Sequence, residues 1–213
     1  MATLSFETEL YRQLMPFFGQ HQFVLLPQRK QFRRQVDTGF QNIILSPTFY
    51  GPETILDVNF GCRNEQVEQI AQQFLHNPLD YQAEANTLLL SIGKFTGAPF
   101  FRYTIHSGEE LVRACRQIEQ FFLTSGFDFL ATTNTLAGVD SLLNRDIHQA
   151  SPYVYNQTHR CYKGLITAQL NHNPHWSGLM EGYRHLFWQQ TQNPHEQQQF
   201  ERLITYLNYY SAN

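Results

Sequence analysis

Among the side chains of this 213-residue chain that could do chemistry, Arg34 stands out. Residues 31–37 alternate, so Phe32, Arg34 and Val36 share one strand face and Gln31, Arg33, Gln35 and Asp37 the other. A guanidinium placed between two apolar side chains needs oxygen partners, because burying it alone is costly. Its planar fork suits carboxylate or phosphate, which would make Arg34 an anion-recognising group beneath a cleft. The competing account packs its stem at the sheet margin and lets its head reach water. Arg33, Asp57 and Arg102 join it as candidate anion- or ligand-binding residues. Asp57 can meet Arg34 only if both lie on the same sheet face.

Histidines form the second group. Six of nine fall between residues 148 and 195: His148, His159, His172, His175, His185 and His195. His172-x-x-His175 and His159-x-Cys161 have ligand-like spacing, and Glu181 shares a helical face with His185 at i,i+4. His172, His175 and His185 are therefore the candidate metal ligands. Zinc needs three or four ligands converging from rigid positions, and no second pair here has helical zinc-binding spacing. The plainer account makes these histidines interhelical polar residues, and no cofactor is expected.

Nucleophile chemistry has little to stand on. No serine sits in a G-x-S-x-G elbow. Cys62 lies near a strand end, Cys115 on an apolar helical stripe and Cys161 in a helix, so all three read as buried, inert thiols. Glu109-Glu110 is explained by helix capping and the helix dipole, and glycine-rich phosphate loops are absent. No catalytic residue is assigned.

The elements that must carry these groups follow from spacing. Ser5 caps a helix over about residues 6–18, with Phe6, Leu10, Leu14 and Phe17 in one stripe. Strands follow from Phe23, over 31–37, from Phe40 to Leu45 and over 54–60, with Asp37-Thr38-Gly39 as a hairpin turn. Asn64 caps a helix carrying Val67, Ile70, Ala71, Phe74 and Leu75 inward. Leu88–Ile92 and Phe100–Ile105 complete an antiparallel sheet of about five or six strands. Ser107 and Glu110 form a capping box for a helix that Gly126 should stop, and a short helical pair follows. Beyond Ser151 only helical periodicity remains, with helices at about 157–170, 177–190 and 195–210. Asn193-Pro194 marks the start of the last. The expectation is an α+β fold, a twisted antiparallel sheet packed by helices over residues 1–148, with an all-helical subdomain over 149–213.

Composition sets the function classes. Apolar residues make up 42% and charged residues 15%, enough for a packed core rather than a disordered polyelectrolyte. The cluster Arg29, Lys30, Arg33, Arg34 lies among aromatics (Phe23, Phe32, Phe40), as in single-strand binding faces. Alternation splits those charges between two faces, and the net charge is −3, so nucleic acid is disfavoured. Three widely spaced cysteines argue against a disulfide scaffold, and no apolar run approaches the roughly 18 residues of a membrane span. A cytoplasmic location without membrane association is expected.

The order helix, Phe32-x-Arg34, Phe40-Gln41-Asn42-Ile43-Ile44, then Ile55-Leu56-Asp57-Val58-Asn59-Phe60-Gly61 resembles a family of uncharacterised bacterial domains. The resemblance covers about residues 5–145. It implies helices against an antiparallel sheet and carries no activity. The leading expectation is a non-catalytic binding or protein-interaction module, its partner another protein or a second copy. The alternative is an enzyme or small-molecule-binding protein with an anion cleft near Arg34 or Arg102.

Overall fold

The computed structural model describes residues 5–210. Ser5 caps α1 (Phe6–Gln20), its hydroxyl accepting the Thr8 amide at 3.3 Å, and Leu10, Leu14 and Phe18 form the buried stripe. Four strands follow: β1 (Val24–Leu26), β2 (Gln31–Val36), β3 (Gly39–Tyr50) and β4 (Glu53–Asn64). The two-residue turn at Asp37-Thr38 sets the β2–β3 register, with Val36 opposite Gly39, Arg34 opposite Gln41 and Phe32 opposite Ile43. In β4, Thr54, Leu56, Val58 and Phe60 are buried, while Ile55, Asp57 and Asn59 keep partial exposure, as alternation requires.

Next come α2 (Glu65–Ala71), capped by Asn64, then α3 (Leu79–Gln82), β5 (Leu88–Ser91), α4 (Ile92–Phe95), β6 (Tyr103–Ile105) and α5 (Gly108–Phe121). The six strands make an open antiparallel sheet in the order β1-β2-β3-β4-β5, and β6 pairs with β4 along Thr54–Leu56. This is the α+β architecture expected from the sequence.

Two local expectations fail for identifiable reasons. The strand expected over Phe100–Ile105 is only three residues long. The Phe101 amide is taken by the Ala98 carbonyl at 2.8 Å in the turn before it, so it cannot join the ladder. Gly126 does not stop the helix either. The chain continues through a π turn (Phe122–Gly126) into α6 (Phe127–Thr132). A Cβ at Gly126 would lie 2.5 Å from Cδ1 of Phe122, so the glycine admits an aromatic ring rather than ending a helix.

The π turn delivers Phe122 into a cluster of rings over the sheet. Its centroid lies 5.2 Å from that of Phe18 and 5.5 Å from that of Phe60, both edge-on, and Phe60 meets Phe129 at 5.4 Å. Edge-to-face contacts of this kind add to simple burial.

Four more helices follow among the described residues: α7 (Leu136–Asn144), α8 (Gln157–Leu170), α9 (Trp176–Gln190) and α10 (Pro194–Tyr209). The last three match the helices read from periodicity. Asn156 caps α8 by accepting the His159 amide at 3.1 Å. Every residue of α8 from Arg160 to Ala168 is buried, which makes it the hub of a core with Val67, Ile70, Phe187, Phe200 and Leu203. By contact the chain forms two compact units. One runs to Cys62 and resumes over Leu90–Ala131; the other takes Arg63–Leu89 and everything from Thr132 onward. The helices beyond residue 149 therefore share their unit with 63–89 and 132–148. Among the described residues no helix is long and apolar enough to cross a membrane.

Candidate functional site

The hairpin register decides the fate of Arg34. Opposite it sits Gln41, whose Oε1 accepts from Arg34 Nη2 at 2.6 Å and from Nε at 3.1 Å. Nη1 donates to the His21 carbonyl at 3.2 Å, and the guanidinium lies 4.6 Å from the centroid of the Phe23 ring. Gln41 is wholly buried and passes the chain of bonds on, Nε2 donating to the Leu130 carbonyl at 2.6 Å. Arg34 is thus half-buried among neutral oxygens and an aromatic face, and burial pulls its pKa below that of a free guanidinium. Gln41→Leu should cost about 1–3 kcal/mol, because it strips the Oε1 acceptor from a half-buried cation and the donor from Leu130. Urea denaturation measures this. Arg33 points to the opposite face and lies over Phe40, 3.8 Å from the ring centroid.

Asp57 and Arg102 are brought together elsewhere in the N-terminal unit. Tyr103 pairs with Leu56, which sets Arg102 beside Asp57, Nε to Oδ2 being 3.6 Å. The pair sits in a concavity of about 670 Å³ on the side of the sheet away from the phenylalanine cluster. Ser46, Thr48 and Tyr50 of β3 line one side, Ile55 of β4 the floor, and Thr104 of β6 with Phe100 the other side. Its rim is aromatic and open to solvent: Phe100 is 87% exposed and Tyr50 62%. Phe49 and Phe101, also exposed, are held edge-on by Phe6 at 5.8 Å and Tyr103 at 5.0 Å. β6 pairs only with β4, so among the described strands its other edge has no partner.

The proposed metal ligands lie in different settings. His172 occupies the turn after α8 with φ 51°, His175 precedes α9 as its cap, and the His185 Nε2 lies 2.9 Å from the Gln189 amide. Among the described residues no three His, Cys, Asp or Glu side chains stand close enough to share a metal ion.

Sequence reasoning passed over a polar network in the C-terminal unit. Glu68 on α2 is 0% exposed, and its Oε1 lies 2.9 Å from Lys163 Nζ on α8. The same oxygen accepts from Thr87 Oγ1 at 2.9 Å, and Oε2 accepts from Gln72 Nε2 at 2.8 Å. Lys163 also donates to the Asn86 carbonyl at 2.6 Å. The signal was a lysine within the apolar run of α8, which a helix buried all round cannot turn to water.

One turn before Lys163 lies His159. Burial, reinforced by the Lys163 ammonium, holds its imidazole below the ordinary value, while Glu68 pulls the other way. The folded protein prefers the neutral ring, so the unfolded chain binds the proton first as pH falls. This contribution to stability is complete above about pH 6.5 and is lost as pH drops through the unfolded and then the folded value. His159→Gln should flatten the fall in Tm between about pH 7 and pH 5; an unchanged slope would count against this assignment.

The thiols offer no reactive group. All three cysteines are buried, and burial pushes Cys115 and Cys161 each up to about 12. A thiol reagent at about pH 8 should label neither until the protein unfolds.

Comparison with known protein families, with characterised proteins and with solved structures finds no match to this chain.

Proposed function

We propose that this protein is a non-catalytic binding module whose N-terminal sheet docks an extended segment of a partner polypeptide between Tyr50 and Phe100. The observation that carries the reading is the aromatic rim, with Phe100 87% exposed beside a 670 Å³ concavity. Rings held that far into water, around a hollow floored by Ile55 and sided by hydroxyls, are what protein-contact surfaces present.

The occupant follows from the walls. The open edge of β6 offers backbone groups that only another extended backbone satisfies in register. Ser46, Thr48 and Thr104 supply hydroxyls that can donate or accept along such a segment. Asp57 offsets the charge of Arg102, so the hollow favours an apolar or aromatic side chain over a charged one. The binding reading fits this lining better than the catalytic one: its carboxylate is committed to an arginine, and among the described residues no histidine lines it.

Selection from a library of displayed random peptides tests the proposal. The expected winners carry an aromatic or aliphatic anchor in an extended sequence. Phe100→Ser should weaken their binding at least tenfold, about 1.4 kcal/mol, in calorimetry. Tyr209→Ser, at an equally exposed ring (86%) of the C-terminal unit, should leave binding unchanged. Equal losses at both positions, or no selected peptide at all, would contradict it.

A further inference from the structure

The C-terminal unit contains a second concave region that peptide docking does not use. A cleft of about 220 Å³ opens between α3, the segment 86–89 and the first turns of α8. A neighbouring hollow of about 330 Å³ shares Asn156 and His159 with it. We propose that the smaller cleft binds the base of a nucleoside, edge-on to Asn86 and Lys163, with the pentose reaching into the larger hollow.

The hydrogen-bond inventory points to the ligand's edge. Asn86 Oδ1 is buried beside the cleft and has no hydrogen-bond partner among the described residues. An acceptor left in that state is costly, and a ligand N–H relieves it. Lys163 Nζ carries three hydrogens and gives two of them to Glu68 and the Asn86 carbonyl. Its third remains for an acceptor in the cleft that Lys163 lines. A donor and an acceptor side by side on one planar ring are what an exocyclic amine and a ring nitrogen of a nucleobase present.

Charge and shape narrow the class. The Lys163 charge is balanced by Glu68, and the lowered pKa of His159 keeps that ring neutral at pH 7. The cleft therefore offers no net positive charge to a phosphate or carboxylate. Tyr81 and Tyr155 border it as half-exposed rings (50% and 52%), suited to stacking on a flat heterocycle. The larger hollow is edged by Asn77, Asn156 and Gln199, whose amides suit the hydroxyls of a pentose. Its inner wall of Phe74, Tyr162 and Phe187 gives the sugar an apolar backing.

Calorimetry of the full chain with adenosine, guanosine, cytidine and uridine tests the assignment. At least one should bind with a micromolar dissociation constant and raise the Tm. Asn86→Ala removes an oxygen that bonds to none of the described residues, so it should keep the unliganded Tm and weaken binding at least tenfold. Should that variant unfold, Tyr81→Ser provides the second reading, with the same expected loss. Phe100→Ser should bind the nucleoside as the parent does, which separates this site from peptide docking. Three results would overturn the proposal: no binding by any of the four at millimolar concentration, ribose or glucose binding as tightly as a nucleoside, or a nucleoside monophosphate binding more tightly than its nucleoside.

Discussion

Lys163→Met should destabilise the protein by about 3–5 kcal/mol, the cost of leaving one member of a buried ion pair uncompensated. Glu68 is wholly buried, and without the ammonium only Thr87 and Gln72 remain to face its charge. The Asn86 carbonyl loses its donor at 2.6 Å as well. Glu68→Leu should cost a similar amount, since it strands the lysine instead. The double variant Lys163→Met/Glu68→Leu is expected to recover much of either loss, because neither charge is then left alone in the interior. Urea denaturation of the four proteins closes the cycle, and additive losses would mean the two charges are not coupled. A stability effect this large at a site bordering the nucleoside cleft also explains why Asn86, and not Lys163, is the residue to alter in the binding test.

Arg160→Met is the second large effect, expected at about 3 kcal/mol or more, because three carbonyl acceptors lose their donors together. Arg160 is 4% exposed, and its acceptors among the described residues are backbone carbonyls. Nε and Nη2 donate to the Leu143 carbonyl at 3.1 and 2.8 Å, Nη2 also to Asp146 at 2.7 Å, and Nη1 to Gln149 at 2.5 Å. One fork thus ties the end of α7 and the segment after it to α8. Arg160→Lys keeps the charge but offers a single point donor, so it should still cost about 2 kcal/mol. Amide hydrogen exchange should quicken over 145–151 in both variants while the sheet of the N-terminal unit is unaffected. A loss below about 1 kcal/mol for Arg160→Met would show that water replaces the guanidinium at these carbonyls.

What could be read from the sequence was local. Ser5, Asn64, Ser107 and Asn193 each cap the helix they were assigned, because a cap is decided by residues within one turn. The strand over 54–60 was legible for the same reason, and its alternating Thr54, Leu56, Val58 and Phe60 form the buried face of β4. Phe100 and Phe101 misled because an apolar run before Tyr103 looks like strand, whereas the turn bond from Phe101 to Ala98 removes both from the ladder.

For the site residues, distance in sequence was the obstacle. The partner of Arg34 was within reach: a two-residue turn at 37–38 sets residue 34 opposite residue 41 by counting outward from Val36 and Gly39. Asp57 and Arg102 are both candidates in the sequence, but their pairing depends on β6 joining β4, with 44 positions between the two residues, which no spacing rule supplies. Glu68, Arg160 and Lys163 stayed hidden because helical periodicity assigns charges to the solvent face. In α8 there is no such face, as nine consecutive residues from Arg160 to Ala168 are buried.

The proposed role as a peptide-docking module rests on the aromatic concavity and the free edge of β6, so exchange at that edge is its most direct test. Amide hydrogen exchange is to be followed residue by residue with and without a peptide selected against the protein. Added peptide should slow exchange at the backbone of 103–105 and at the end of β3 bearing Ser46 to Tyr50, and Phe100→Ser should abolish that protection. Protection confined to the C-terminal unit, or none at 103–105 with the peptide bound, would contradict docking at the sheet.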